Sequence, residues 1–274
     1  MAPQSDRGWA VCSFRRGCVA VVGAALFCIV SWSDGMAQPS VEIGIKGGLG
    51  LARLSGSNLE GSEPVNGDLG NGFTGVGQTS SSIKDMKTGF SGGAYATLRF
   101  SERFAMRLET LYSMKGGKGN NSGSIDIYDS SNNYVGTLAI SGTNRMTLNY
   151  FEIPILGVVS FPSGPNSTFE LFAGPSFALK TSAKLKQTIT ASFRGQSDTQ
   201  TQTTDISNVT KSSDFGGVLG AGMSFKIGTP VLFTEARWTA GFSKIDDSGS
   251  NADWKNSAFG ISAGIGFPLT TAVK

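Results

Sequence analysis

The hydrophobic pattern of this chain has a period of two, and it recurs in eight segments. In Phe104–Met114 one face carries Phe104, Met106, Leu108, Thr110, Tyr112 and Met114, while the other carries Arg107 and Glu109. Such alternation belongs to a strand whose two faces meet unlike surroundings. The same reading gives strands over Val41–Leu51, Phe90–Phe100, Phe104–Met114, Asn149–Phe161, Phe169–Lys180, Phe215–Ile227, Val231–Phe242 and Ser257–Phe267. Their lengths match the ~9–11 residues that a tilted membrane strand needs, or slightly exceed them.

The ionic residues inside these windows are Glu42, Lys46, Arg99, Arg107, Glu109, Glu152, Glu170, Lys180, Lys226, Glu235 and Arg237. Every one has the parity opposite to the apolar face. A charge facing lipid costs ~2–4 kcal/mol at mid-bilayer, so hydrocarbon outside the wall enforces this segregation. A soluble lipocalin-like barrel would turn its polar face outward instead. Aromatics mark the edges of the apolar face. Phe100, Phe104, Phe161, Phe169, Phe225 and Phe267 stand at one end of the strands, with Phe90, Tyr112, Phe151, Phe177, Phe215 and Phe259 eight or ten residues away. At ~3.4 Å per residue and ~40° tilt these rows lie about 21–26 Å apart, close to the ~25 Å apolar band of an outer-membrane barrel. The core of a soluble sandwich would share the parity but not the paired rings.

The connections alternate as well. Ser101-Glu102-Arg103, Pro162–Thr168 and Gly228-Thr229-Pro230 are short turns, whereas 52–89, 115–148, 181–214 and 243–256 read as long polar loops. Within 115–148, Ser124–Tyr128 and Tyr134–Ile140 flank Ser130–Asn133 as the arms of a hairpin above the membrane. Pro154 and Pro175 each remove a ladder donor inside a strand, so a bulge or local break is expected at both. The fold expected is all-β: an eight-stranded antiparallel up-and-down transmembrane β-barrel, preceded by a cleaved signal peptide.

That leader is read over residues 1–37, with the barrel domain over 38–274. Arg7, Arg15 and Arg16 form a basic start, Cys18–Val30 an apolar run, and Gly35-Met36-Ala37 a small-residue cleavage site. The run falls short of the ~18–20 apolar residues of a spanning helix. Cys12, Cys18 and Cys28 all lie in this segment, so the exported part has no thiol or disulfide chemistry. There is no histidine anywhere, which excludes His-based triads and His-metal sites. The formal charge is +3. Without residues 1–37, which hold three Arg and two Asp, 20 basic and 18 acidic residues remain, a balance that gives no reason to expect nucleic acid.

Inside the barrel, the first, sixth and eighth strands offer mostly Gly, Ala and Ser, while others offer long ionic side chains. An eight-stranded bore is narrow enough for side chains to close. The candidate lumen ion network comprises Arg99, Arg107, Glu109, Glu152, Glu170, Glu235 and Arg237. Glu109, Glu152 and Glu235 have a second reading, as an ion path or acid–base site. The first reading is a charge-balanced plug. No catalytic, cofactor-binding or metal-binding set is visible, and no cofactor is expected. Asp246–Asn251 lacks the spaced ligands and closing Glu of a calcium loop.

Six segments carry a family resemblance: IGIKGGLGLARL (Ile43–Leu54), RLETLYSMKGGK (Arg107–Lys118), LNYFEIPIL (Leu148–Leu156), FAGPSFAL (Phe172–Leu179), FGGVLGAGMSFKI (Phe215–Ile227) and FTEARWTAGF (Phe233–Phe242). In this order they resemble the PorT-like outer-membrane β-barrel family. The resemblance implies an outer-membrane location and an eight-stranded barrel. The family's founding member is linked to protein secretion, a role that a shared fold does not transfer. The function expected is a non-enzymatic barrel with a structural, surface-interaction or secretion/transport-accessory role. Its partners would be outer-membrane lipid, the insertion machinery, and a surface or secretion partner met through loops 52–89, 115–148, 181–214 and 243–256. A lipid-modifying or proteolytic barrel enzyme and a soluble periplasmic ligand-binding barrel are the alternatives.

Overall fold

The computed structural model describes residues 40–249 and 252–269; the leader and cleavage site read in residues 1–37 lie outside them. The described chain forms strands β1 (Ser40–Ser55), β2 (Glu60–Gly70), β3 (Phe73–Ser82), β4 (Lys87–Arg99), β5 (Phe104–Tyr128), β6 (Tyr134–Pro162), β7 (Ser167–Phe193), β8 (Gln196–Asp205), β9 (Ser213–Lys226), β10 (Val231–Gly241) and β11 (Lys255–Leu269). Antiparallel pairing runs β5-β4-β1-β11-β10-β9-β7-β6 and closes through β5 with β6. This ring of eight strands has no free edge within the band, which is how a β-structure satisfies its backbone in lipid. All eight strands expected from the alternation are in the ring.

The turns at one rim are tight for local reasons. Ser101 Oγ accepts from the Arg103 and Phe104 amides. Gly228 sits at φ +67°, a left-handed position that glycine takes without a Cβ clash, and Ile227 N donates to Pro230 O at 2.9 Å across the reversal.

The two faces separate as the alternation requires. Outward side chains include Leu49 at 67 % exposure, Ile45 at 63 % and Ile261 at 61 %, while inward Glu109 is at 0 %. Phe90, Phe104, Phe161, Phe215, Phe225, Phe259 and Phe267 are also on the exposed surface. Soluble monomers rarely expose contiguous apolar patches above a few hundred Å².

The inner wall is built from glycine set against rings. A Cβ on Gly264 would stand 2.4 Å from the Phe233 ring, and one on Gly220 would stand 2.4 Å from the Phe172 ring. Those glycines therefore make the room into which the aromatic side chains of neighbouring strands fold.

Three of the four long connections differ from expectation. The segments 52–89 and 181–214 are not simple loops: they hold β2 and β3, and the rest of β7 with β8. The segment 115–148 is two continuous strand arms, which include the expected hairpin. β3 pairs with the upper part of β5, and β8 with the upper part of β7, so β2-β3-β5-β6-β7-β8 continue as a one-sided sheet beyond the ring. At Pro154 and Pro175 the register does not shift, so neither is a bulge. Pairs are missing around Pro154 on the β5 side and opposite Pro175 on the β6 side, the local break expected where a donor is absent. A bulge does occur nearby: Asn149 faces Ser182 while Tyr150 faces Lys180, leaving Thr181 unmatched. One extra residue reverses side-chain parity, so Ala183 and Leu185 continue the inner face in place of residues of the other parity.

Candidate functional site: the ionic lumen

The charged side chains expected inside the barrel meet near its axis. Arg237 of β10 donates from Nη1 and Nη2 to Oε2 and Oε1 of Glu109 on β5, at 2.9 and 3.0 Å. Its Nε and Nη2 also donate to Glu235 Oε1, at 3.0 and 2.5 Å. Lys46 Nζ from β1 bridges the same two carboxylates, at 2.6 Å to Glu109 and 2.8 Å to Glu235. Ser262 Oγ of β11 donates to Glu235 at 2.9 Å. Four strands of the ring are thus tied through one compact knot.

Toward the short-turn rim, Arg107 links this knot to a second group. It donates to Glu170 at 2.7 Å and lies 3.5 Å from Glu235, and Arg99 reaches the other oxygen of Glu170 at 2.9 Å. The Arg107 guanidinium stands 5.4–5.8 Å from the centres of the Tyr95, Phe172 and Phe233 rings. A planar cation with five donors suits a place where carboxylates bind its edges and rings cover its faces. Tyr95 Oη donates to Glu42 at 2.8 Å.

Six of the seven proposed network residues, Arg99, Arg107, Glu109, Glu170, Glu235 and Arg237, are therefore joined. Glu152 is not joined to them. It pairs with Lys115 and accepts from Ser113 Oγ at 2.8 Å, closer to the long-loop end. Lys46 and Lys115 complete the set. Lys46 was legible as an inward cation on the first strand, but nothing local gave its partners, which are 63 and 189 residues away. Lys115 fell beyond the strand end read from the sequence. The cations Lys46, Lys87, Arg99, Arg107, Lys115 and Arg237 face the carboxylates Glu42, Glu109, Glu152, Glu170, Asp214 and Glu235, so these interior residues balance in formal charge. Balance matters because an unpaired buried ion carries a desolvation cost of several kcal/mol.

Beyond the knot, a cavity of about 50 Å³ is lined by residues that include Ala52, Leu111, Ser113, Lys115, Glu152 and Thr239. A dry layer of Leu54, Met146, Leu148, Tyr150, Ala178, Ala183 and Ile245 follows, flanked by Leu59, Ile83, Leu185, Ile206 and Trp254. Five of these, Leu59, Ile83, Ile206, Ile245 and Trp254, come from connections between strands. The cover is anchored by hydrogen bonds from Ile245 N to Trp254 O at 2.8 Å, Lys211 N to Ile245 O at 2.9 Å, and Trp254 Nε1 to Ser57 O at 2.9 Å. The lumen thus has an ionic plug and an apolar lid above it. Among the described residues no group of three or more His, Cys, Asp or Glu is arranged to hold a metal.

Solved structures similar to this chain include bacterial surface and outer membrane proteins. Ail, the attachment invasion locus protein of Yersinia pestis, solved with the heparin analogue sucrose octasulfate, is 14% identical with a TM-score of 0.34, over 83% of this chain and 99% of Ail. Neisserial surface protein A is 12% identical with a TM-score of 0.36, over 86% and 100%. OprG of Pseudomonas aeruginosa is 13% identical with a TM-score of 0.31, over 85% and 97%. A search of curated proteins for sequence relatives finds no match. The family model for the outer membrane protein beta-barrel domain matches residues 36–247, and the chain belongs to that family, as a protein of the cell outer membrane.

Proposed function

We propose that this chain is a non-enzymatic barrel whose lumen is a structural plug and whose working surface is the sheet and loops beyond the long-loop rim, in a surface-interaction or secretion/transport-accessory role. The observation that carries this reading is the division of the molecule. Its axis is filled by paired charges under an apolar lid, while β5, β6 and β7 run for 25, 29 and 27 residues, more than twice what crossing the membrane needs. A chain gains nothing for membrane crossing from that extra length, so it serves contact outside the bilayer. By the usual polarity of such barrels this end is extracellular.

The motif order supports placement near the PorT-like proteins within the wider family, and with it an accessory part in export. The absence of histidine from the sequence speaks against the enzyme alternative. Glu109 is held by two cations and Glu235 by three, so both carboxylates are engaged in ion pairs.

Planar-bilayer recording at high protein load tests the closed lumen. Silence or rare small events are expected, and sustained large conductance would refute the plug. Protease shaving of intact cells tests the exposed sheet, with cleavage expected in segments 52–89, 115–148 and 181–214. Complete resistance of these segments in a strain with otherwise accessible surface proteins would contradict the working-surface assignment.

A further inference from the structure

About 16 Å above the upper aromatic girdle, three adjacent strands place like charges directly opposite one another. Lys118 of β5 faces Arg145 of β6, and Arg145 faces Lys186 of β7. All three are exposed. Their parity puts them on the outer wall, in line with Tyr112 and Phe151, because the inner face at this level is taken by Asn121, Asn144 and Gln187, which bond one another. Lys186 reaches this face only because of the extra residue at Thr181, and Lys184, also exposed, stands beside it.

Like charges directly opposite across a ladder repel and destabilise the pairing. Among the described residues no carboxylate lies within ion-pairing distance of Lys118, Arg145 or Lys186. Asp85 bridges to Lys118 through backbone bonds, and Asp205 stands opposite Lys184 at the end of β8. These two acids offset part of the charge but leave Arg145, at the centre of the row, and Lys186 without an ion-pair partner. The buried Lys87 ammonium is near enough to Arg145 for the two to repel. A surface that concentrates positive charge in this way, contiguous with a lipid-facing band, is complementary to an anion supplied by the lipid.

Depth selects which anion. Lys118 and Arg145 are each six residues above the girdle residues Tyr112 and Phe151, about 16 Å along the axis. Long basic side chains can lean back about 6 Å toward the bilayer, which still leaves their charges about 10 Å above the ring level. The head-group layer of an ordinary phospholipid extends only about 5–8 Å beyond the hydrocarbon. We infer that Lys118, Arg145 and Lys186, with Lys184, form a docking site for the phosphorylated saccharide head group of an outer-leaflet glycolipid. This inference rests on the membrane orientation of the barrel and goes beyond the proposed function.

The test is thermophoresis of the detergent-folded protein titrated with a deep-rough lipopolysaccharide, with the same lipid after dephosphorylation, and with phosphatidylglycerol. Tight binding of the first is expected, with at least about tenfold weaker binding of the other two. The K118Q/R145Q/K186Q variant is expected to bind lipopolysaccharide about a hundredfold more weakly at low salt, since each basic residue near an anionic lipid surface contributes roughly a factor of five. The charge-matched K211Q/K226Q/K244Q variant and the conservative K118R/K186R variant are expected to bind as the parent does. Unchanged binding by the first variant would overturn the site. So would equal binding of dephosphorylated lipid or phosphatidylglycerol, or competition by inorganic phosphate at the same phosphate concentration. Heat-modifiable migration in gels verifies folding for each variant. Loss of that shift in the parent protein would instead strike at the barrel itself.

Discussion

Arg237 holds Glu109 across the width of the barrel through two parallel hydrogen bonds, at 2.9 and 3.0 Å, although 128 residues separate them in the chain. Both are almost fully buried. Removing one partner leaves one uncompensated charge in the buried network, a loss of about 3–5 kcal/mol in comparable pairs. Arg237→Ala and Glu109→Ala are each expected to lower unfolding stability by about that amount, read from urea titration of heat-modifiable migration. The joint replacement by Leu is expected to recover much of the loss, because it removes both charges together. Equal loss in the single and double variants would show that the pair is not coupled.

The outer wall makes a depth-dependent prediction. Ala263 lies at mid-band on β11, four residues from both Phe259 and Phe267, and Phe267 lies at the short-turn rim, paired with Ile43. Ala263→Arg is expected to cost about 2–4 kcal/mol and Phe267→Arg about 0–1 kcal/mol of charge penalty, beyond the loss of the ring itself. Refolding yield and unfolding midpoint in lipid vesicles measure both. Equal tolerance of arginine at the two depths would mean that no hydrocarbon gradient surrounds the wall.

The lid is predicted to be separable from the plug. Ile245 is 1 % exposed and fills the dry layer from a loop. Ile245→Ala is expected to destabilise the lid by about 2–5 kcal/mol, with faster amide exchange at Lys211 and Ile245. The strand amides around Glu109 are expected to keep their protection, and conductance is expected to stay absent. A channel opened by Ile245→Ala would make the lid, and not the ion knot, the seal.

At the tip between β5 and β6, Asp129 accepts hydrogen bonds from the Asn133 and Ser131 amides, at 2.8 and 2.9 Å. The Asn133 bonds, and then Ser131, hold its carboxyl below the ordinary value of 3.8. A carboxyl depressed in the folded state contributes order that is fully present above that ordinary value, and the contribution is lost as pH falls through the lowered one. Amide exchange at Asn133 is therefore expected to be slow at pH 5 and to accelerate only in strong acid. Asp129→Ala is expected to give the fast rate at both pH values. Protection that persists unchanged in Asp129→Ala would sever the link between this carboxylate and the turn.

The eight ring strands were legible because lipid outside and ions inside impose one clean period on each of them. β2, β3 and β8 were not, because both their faces are largely in water. Gln196–Asp205, exposed at every position, has no alternation to read. Their existence is fixed by pairing with the raised arms of β5 and β7, which is long-range information. The same holds for the lid. Leu59, Ile83, Ile206, Ile245 and Trp254 are isolated apolar residues in polar stretches, and only the folded barrel brings them over one opening. In the lumen, parity identified which charges point inward, but partner choice depended on where strands far apart in sequence stand around the ring. Glu152 shows the limit: its inward direction was legible, but its partner Lys115 lay beyond the strand end as read.

The central claim, a wall wetted by hydrocarbon, is tested most directly at Trp238. Its ring is 49 % exposed on the outer face, where Trp238 pairs with Phe259 of the upper aromatic girdle. With Trp9, Trp32 and Trp254 replaced by Phe, it is the one remaining tryptophan of the four in the sequence. Its fluorescence is then measured in vesicles of lipids brominated at graded depths. Strong quenching is predicted, greatest for bromines near the carbonyl end of the acyl chains and weaker for those at mid-bilayer. Emission from folded protein that no brominated lipid alters would contradict the account.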